Sequence, residues 1–183
     1  MIINMLTEAE KLQCNPPDLI TRPVGRAMFE YSKGVIPDMR HGETLLLNFA
    51  GIKVIDSSFI DEMIVTLLLF SRESAKEFYV KLRNFSEIAG INIDFVLRSY
   101  SNYKNKKIVV ITENICRNNV FFIGPLSDKE KGIVEYLRIN KSVTPDDAAG
   151  FSGLPLQGAR KMLDELYAMR IVKKDSDGVF FAV

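Results

Sequence analysis

The residues best placed to do chemistry stand in one short run, Asp56-Ser57-Ser58-Phe59-Ile60-Asp61-Glu62. Ser58 with Asp61 three residues later is a capping-box-like pair, with Asp in place of Glu. Asp61 and Glu62 fall in the first turn of the helix that follows, where negative charge suits the positive dipole end. On that reading Ser58 is the N-cap, worth about 1 kcal/mol. Arg22 is the upstream cation available to pair with either acid. A second run, Tyr100 to Lys107, interleaves Tyr100 and Tyr103 with Lys104, Lys106 and Lys107. Such interleaving suits single-stranded nucleic acid, and it equally describes a solvated loop between a helix and a strand.

The remaining chemistry is excluded by what is missing. His41 is the only histidine, and it falls at a predicted turn, so a Ser-His-Asp or Cys-His pair would have to be built on it. One histidine and two distant cysteines, Cys14 and Cys116, do not make a zinc set. No GxxxxGK[ST], no GxGxxG after a strand and no GxSxG occurs. No residue set supports catalysis, and no cofactor is expected.

Composition narrows the class. A chain of 183 residues makes one domain or two small ones. Hydrophobic residues at 47% supply enough apolar material for cores. Lys plus Arg is 24 against 23 for Asp plus Glu, so the chain is neither a strongly basic nucleic-acid binder nor an acidic solvating protein. Two separated cysteines without a CxxC point to a reducing, cytoplasmic setting. The N-terminus lacks the pattern of a secretory signal. The longest apolar run, Met63 to Phe70, broken only by Thr66, falls far short of the ~20 residues a membrane helix needs.

These groups must be held by elements the pattern outlines. Residues 1–20 read as an irregular segment, broken at Asn15-Pro16-Pro17. Pro23 to Ile36 reads as an amphipathic helix, Thr44 to Phe49 as a buried strand and 51–55 as a bend with a short extended piece. The helix opening at Asp56 closes at Arg72. Phe78 to Leu82 is a strand and Phe85 to Tyr100 a helix in which Gly90 marks a break or turn. Lys107 to Thr112 and Val120 to Ile123 are strands. Alternating strands and helices over 21–124 predict an α/β domain, a mixed sheet with helical cover. Gly124-Pro125 is the joint. Beyond it, Ser127 with Glu130 is a capping box for a helix to about Asn140, and Thr144-Pro145-Asp146-Asp147 starts a second. Leu154 to Arg170 is a third, with Leu156, Ala159, Leu163, Leu166 and Tyr167 on one face. Ile171 to Lys174, a turn at 175–178 and Val179 to Ala182 form a hairpin.

Two resemblances follow from these residues. The stretch LLLNFAGIKVIDSSFIDEM, with Arg22 and Gly25 upstream and Phe59, Asp61 and Glu62 at the helix start, resembles the STAS domain (sulphate transporter and anti-sigma-factor antagonist). It is nearer to the bacterial STAS-like variant. The resemblance implies a protein-binding module with Arg22, Phe59, Asp61 and Glu62 as its motif. It makes Ser57 and Ser58 candidate phosphorylation sites, although Phe59 replaces the glycine that follows the serine in sigma-factor antagonists. A phosphate there would meet unpaired N–H groups at the helix start. Residues 126–183 resemble the winged helix-turn-helix family, a small α+β domain. That implies a recognition helix offering Gln157, Arg160 and Lys161 to a major groove, and a wing offering Lys173 and Lys174 to phosphates. The nine Lys/Arg and nine Asp/Glu from 126 onward leave the segment neutral, which opposes DNA binding.

Together they imply a bacterial, non-enzymatic regulatory protein. Its partners would be a protein, such as a regulatory kinase or a sigma/anti-sigma-type factor, double-stranded DNA, and a second copy in a homo-oligomer, with no membrane. The alternative is an interaction or scaffold protein that binds no DNA.

Overall fold

The computed structural model describes residues 1–14, 16–113 and 121–183. Asn15, Cys116 and Val120, all named above, lie outside the described residues. Met1–Pro125 forms one compact unit and Leu126–Val183 a second.

The first unit is a mixed α/β fold. Its elements run β1 (Ile2–Asn4), α1 (Met5–Lys11), β2 (Asp18–Leu19), α2 (Arg22–Val35), β3 (Glu43–Asn48) and β4 (Val54–Ile55). A helix in three parts follows: α3 (Ser57–Phe59), a π-helical stretch (Ile60–Val65) and α4 (Thr66–Glu73). Then come β5 (Phe78–Arg83), α5 (Glu87–Lys104), β6 (Val110–Thr112) and β7 (Phe122–Ile123). The main sheet has the order β1-β3-β5-β6-β7. Its first four strands are parallel, and β7 is antiparallel to β6. Each parallel step needs a crossover, and the helices supply them.

Strand alternation decides which side carries the core. Leu45 and Leu47 of β3 and Phe78, Val80 and Leu82 of β5 pack in one cluster with Met28, Phe59, Met63, Ile64, Ile93 and Leu97 from the helices. Each such buried side chain contributes about 1.5–3 kcal/mol relative to exposure.

Residues 1–20 are not irregular, contrary to the expectation from sequence. β1 pairs with β3, Ile3 opposite Leu47, and forms the edge of the main sheet. Met5 and Ala9 of α1 are buried. A three-residue strand and a two-turn helix are too short for a period to show. Their order comes from the surfaces they pack on. β2 pairs in parallel with β4, Leu19 opposite Ile55, and this sets the start of α2 beside the start of α3. Gly90 does not break α5, which runs through it.

The second unit comprises α6 (Asp128–Asn140), β8 (Ser142–Val143), α7 (Pro145–Ser152), α8 (Leu156–Ala168), β9 (Val172–Lys174) and β10 (Phe180–Ala182). The expected capping box at Ser127 forms, and a second, at Thr144, joins it. Ser127 and Glu130 exchange bonds, as do Thr144 and Asp147, the latter at 2.9 and 3.2 Å. The hairpin gains a third strand the sequence did not announce. β8 pairs with β10, Val143 opposite Phe180, giving the order β8-β10-β9. Ala159, Leu163 and Leu166 of α8 are buried as expected, but Leu156 is exposed. It opens the helix, a turn before the first buried position.

Candidate functional site

The site is built at the β4–α3 junction. The N-cap there is Asp56, which corrects the assignment to Ser58. One Asp56 oxygen accepts the Phe59 N–H at 2.7 Å and the other accepts the Thr21 N–H at 3.3 Å. The same carboxylate therefore caps α3 and holds the entrance of α2. Thr21 has φ +78° and ψ 151°, a conformation a β-branched residue adopts only under constraint. With the cap filled by Asp56, Ser57 and Ser58 occupy the first turn. Ser57 is exposed, Ser58 half-buried, and among the described residues neither hydroxyl has a hydrogen-bond partner.

Next comes the π-helical stretch, which begins one residue before Asp61. The Thr66 hydroxyl donates to the Asp61 carbonyl at 3.2 Å, five residues back. π turns inside α-helices are rare and occur frequently at functional sites. Here Asp61 and Glu62 both reach α2. The Arg22 guanidinium bridges them, its Nη1 standing 2.9 Å from Asp61 Oδ2 and 2.6 Å from Glu62 Oε1. Arg26, one turn further along α2, gives Nε to the other Glu62 oxygen at 3.1 Å. α2 comes this close because residue 25 is glycine. A Cβ there would stand 2.8 Å from Glu62 Cβ and 3.1 Å from the Phe59 carbonyl oxygen. Phe59 is fully buried beneath the contact.

The last turn of α5 closes the cluster. Tyr100 donates its hydroxyl to Asp61 Oδ1, and the Lys104 ammonium sits 3.8 Å from the centre of the Tyr100 ring. Tyr100 and Lys104 thus belong to a helix and to this site, not to a loop before the next strand. The electrostatics follow. Hydrogen bonds from Arg22 and then Arg26 hold the Glu62 carboxyl below its ordinary range. Glu62 and Asp61 in turn raise Arg22. Burial, followed by the bond to Asp61, pushes the Tyr100 hydroxyl up. The bond to Tyr100 raises Lys104.

The arrangement is an ionic latch across three elements, and it is open to solvent: the Arg22 side chain is 52% exposed. The Glu62 carboxylate is held charged by Arg22 and Arg26, which suits recognition by charge. His41 lies in the exposed turn before β3, at the other end of that strand from the loop leading to Asp56. Among the described residues no group of three His, Cys, Asp or Glu is arranged to hold a metal.

In the second unit Gln157, Arg160 and Lys161 lie exposed on the early turns of α8. The first turn carries no acid, but Glu165 stands 3.9 Å from Lys161. Lys174 is engaged by a neighbouring carboxylate at the surface. Its ammonium pairs with Asp164 at 2.7 Å and lies 5.0 Å from the centre of the Phe180 ring. Lys173, beside it, is half-buried. At the hairpin tip, Asp175 Oδ1 accepts the N–H groups of Asp177 and Val179 at 3.0 and 2.9 Å, so this carboxylate is committed to the turn.

Arg26 was not legible as a site residue in the sequence. Its only signal was its place four residues after Arg22, on the same helix face. No family model, no curated protein and no solved structure matches the chain. Among the described residues no helix is long and apolar enough to cross a membrane.

Proposed function

We propose that the chain is a non-enzymatic regulatory protein in which a STAS-like unit takes the input and a winged-helix unit reads double-stranded DNA. For the first unit, the support is the latch. Arg22, Phe59, Asp61 and Glu62, the motif residues of that resemblance, form one contiguous structure around Gly25. It presents an ordered, charged, solvent-facing surface of the kind a protein partner recognises. Ser57 and Ser58 are its modification sites. Ser58 precedes Glu62 by four residues, so the two are neighbours on the helix. A phosphate on Ser58 would compete with Glu62 for Arg22 and Arg26 while being opposed by the nearby acids.

For the second unit, one observation carries the reading: α8 presents Gln157, Arg160 and Lys161 to solvent from a helix–strand–helix–helix–hairpin framework. The test is a salt titration of the full chain on mixed-sequence duplex DNA. Binding should weaken steeply with salt. Arg160→Ala with Lys161→Ala should flatten the slope by roughly 0.9 for every phosphate the protein no longer neutralises. No binding at low salt removes this reading and leaves the second one, a protein-interaction module. The Lys174–Asp164 pair and the charge neutrality of residues 126–183 favour that second reading.

A further inference from the structure

The outer face of α5 carries an apolar stripe that the latch does not use. Ile88 is 71% exposed, Ile91 40% and Phe95 72%. Spaced at i, i+3 and i+7, they form one line over two turns. The opposite face is fixed: Ala89, Ile93, Val96 and Leu97 are buried, and Asn92 donates to the Ile55 carbonyl at 3.1 Å. The stripe is therefore held rigid and needs no reordering to be covered. Scattered exposed apolar residues need no explanation, whereas a contiguous row on a rigid helix does.

The charges beside it bear on what could cover it. Glu87, Asp94 and Arg98 lie along one flank of the stripe by helical spacing, and Arg98 Nε is 2.7 Å from Asp94 Oδ2. Glu87 marks its N-terminal end with an acid and Arg98 its C-terminal end with a base, Asp94 lying between them and paired with Arg98. When two such helices pack antiparallel about a two-fold axis, the same flank of each meets the other. An axis crossing between residues 92 and 93 sets Glu87 of each copy opposite Arg98 of the other. It also lays Ile88 and Ile91 against Phe95 of the other copy. A parallel pair would instead set the charged flank against Asn92 and Ser99, which offer no counter-charge. We infer that a second copy of this chain docks here, through an antiparallel α5–α5 contact with Phe95 near its centre. Such self-complementarity is what an isologous contact requires.

The experiment is analytical ultracentrifugation of the full chain across a wide concentration range, with circular dichroism to confirm folding. The 20.7 kDa chain should approach twice that mass as concentration rises. Phe95→Asp, at an exposed position, should keep the fold and weaken association at least tenfold. Arg98→Glu should weaken it too, and adding Glu87→Arg should restore it, because the two charges then meet with their signs exchanged. A chain that stays monomeric, or a dimer indifferent to Phe95→Asp, overturns the interface. Failure of the exchanged pair to rescue overturns the antiparallel arrangement.

Discussion

Two glycines of α2 respond in opposite directions to the same substitution. Replacing an interior helical glycine with alanine gains about 0.5–1 kcal/mol from the unfolded-chain entropy that glycine carries. At Gly34 an added Cβ meets nothing within 4 Å, so Gly34→Ala should realise that gain. At Gly25 the Cβ would stand 2.8 Å from Glu62 Cβ and 3.1 Å from the Phe59 carbonyl oxygen. Carbon atoms pack at about 3.5–4.0 Å, so the shortfall is near 1 Å. Its partners are a Cβ and backbone, not the free end of a flexible side chain. α2 must therefore move, at an overpacking cost of about 1–3 kcal/mol. Gly25→Ala should be less stable than Gly34→Ala by roughly the same 1–3 kcal/mol. Urea unfolding followed on resolved amide resonances of each unit separates the effect on the first unit from the second. The displacement also pulls Arg22 and Arg26 off Glu62, so the Glu62 carboxyl should titrate higher in Gly25→Ala than in the wild type. Equal stabilisation by both alanines would refute the idea that glycine sets the approach of α2.

Arg22→Ala should raise the titration midpoint of Glu62, read by carboxyl-carbon NMR. Because the native Glu62 pKa is depressed, its stabilisation is present above the ordinary glutamate value and fades as pH falls through the native one. The wild type should therefore lose more stability than Arg22→Ala over that acid window. Asp56→Ala should cost about 1–2 kcal/mol, since it removes the cap from the Phe59 N–H and leaves the Thr21 N–H without its acceptor. Ser58→Ala should stay within about 0.5 kcal/mol, and thermal melts of the pair decide which residue is the cap.

Much of the fold was legible because it is local. The Ser127–Glu130 box formed where the spacing put it, and the second helix of that unit starts at Thr144-Pro145 as read, since a cap depends on atoms three residues away. β3 and β5 followed from their compact apolar runs. Arg22 did pair with the acids at 61 and 62. The cap at Asp56 was misread because Asp56 and Ser58 are both competent cap residues. The register of the β4–α3 junction, fixed by the β2–β4 pairing, chose between them. β1 and β8 were missed for the same reason: strands of two or three residues show no period, and they exist only as partners of β3 and β10.

The sequence by itself marked the longer helices and strands, the joint at Gly124-Pro125 and the run from Asp56 to Glu62, because helical period, turn chemistry and capping act over a few neighbouring residues. Only the tertiary structure decided that Arg26, Tyr100 and Lys104 share a site with them, that the latch faces solvent and that Lys174 pairs with Asp164. Those contacts join residues as many as 39 positions distant in the chain. No local rule reaches that far. They are set by how closely α2 packs at Gly25 and by the π-helical stretch that turns Asp61 and Glu62 toward it.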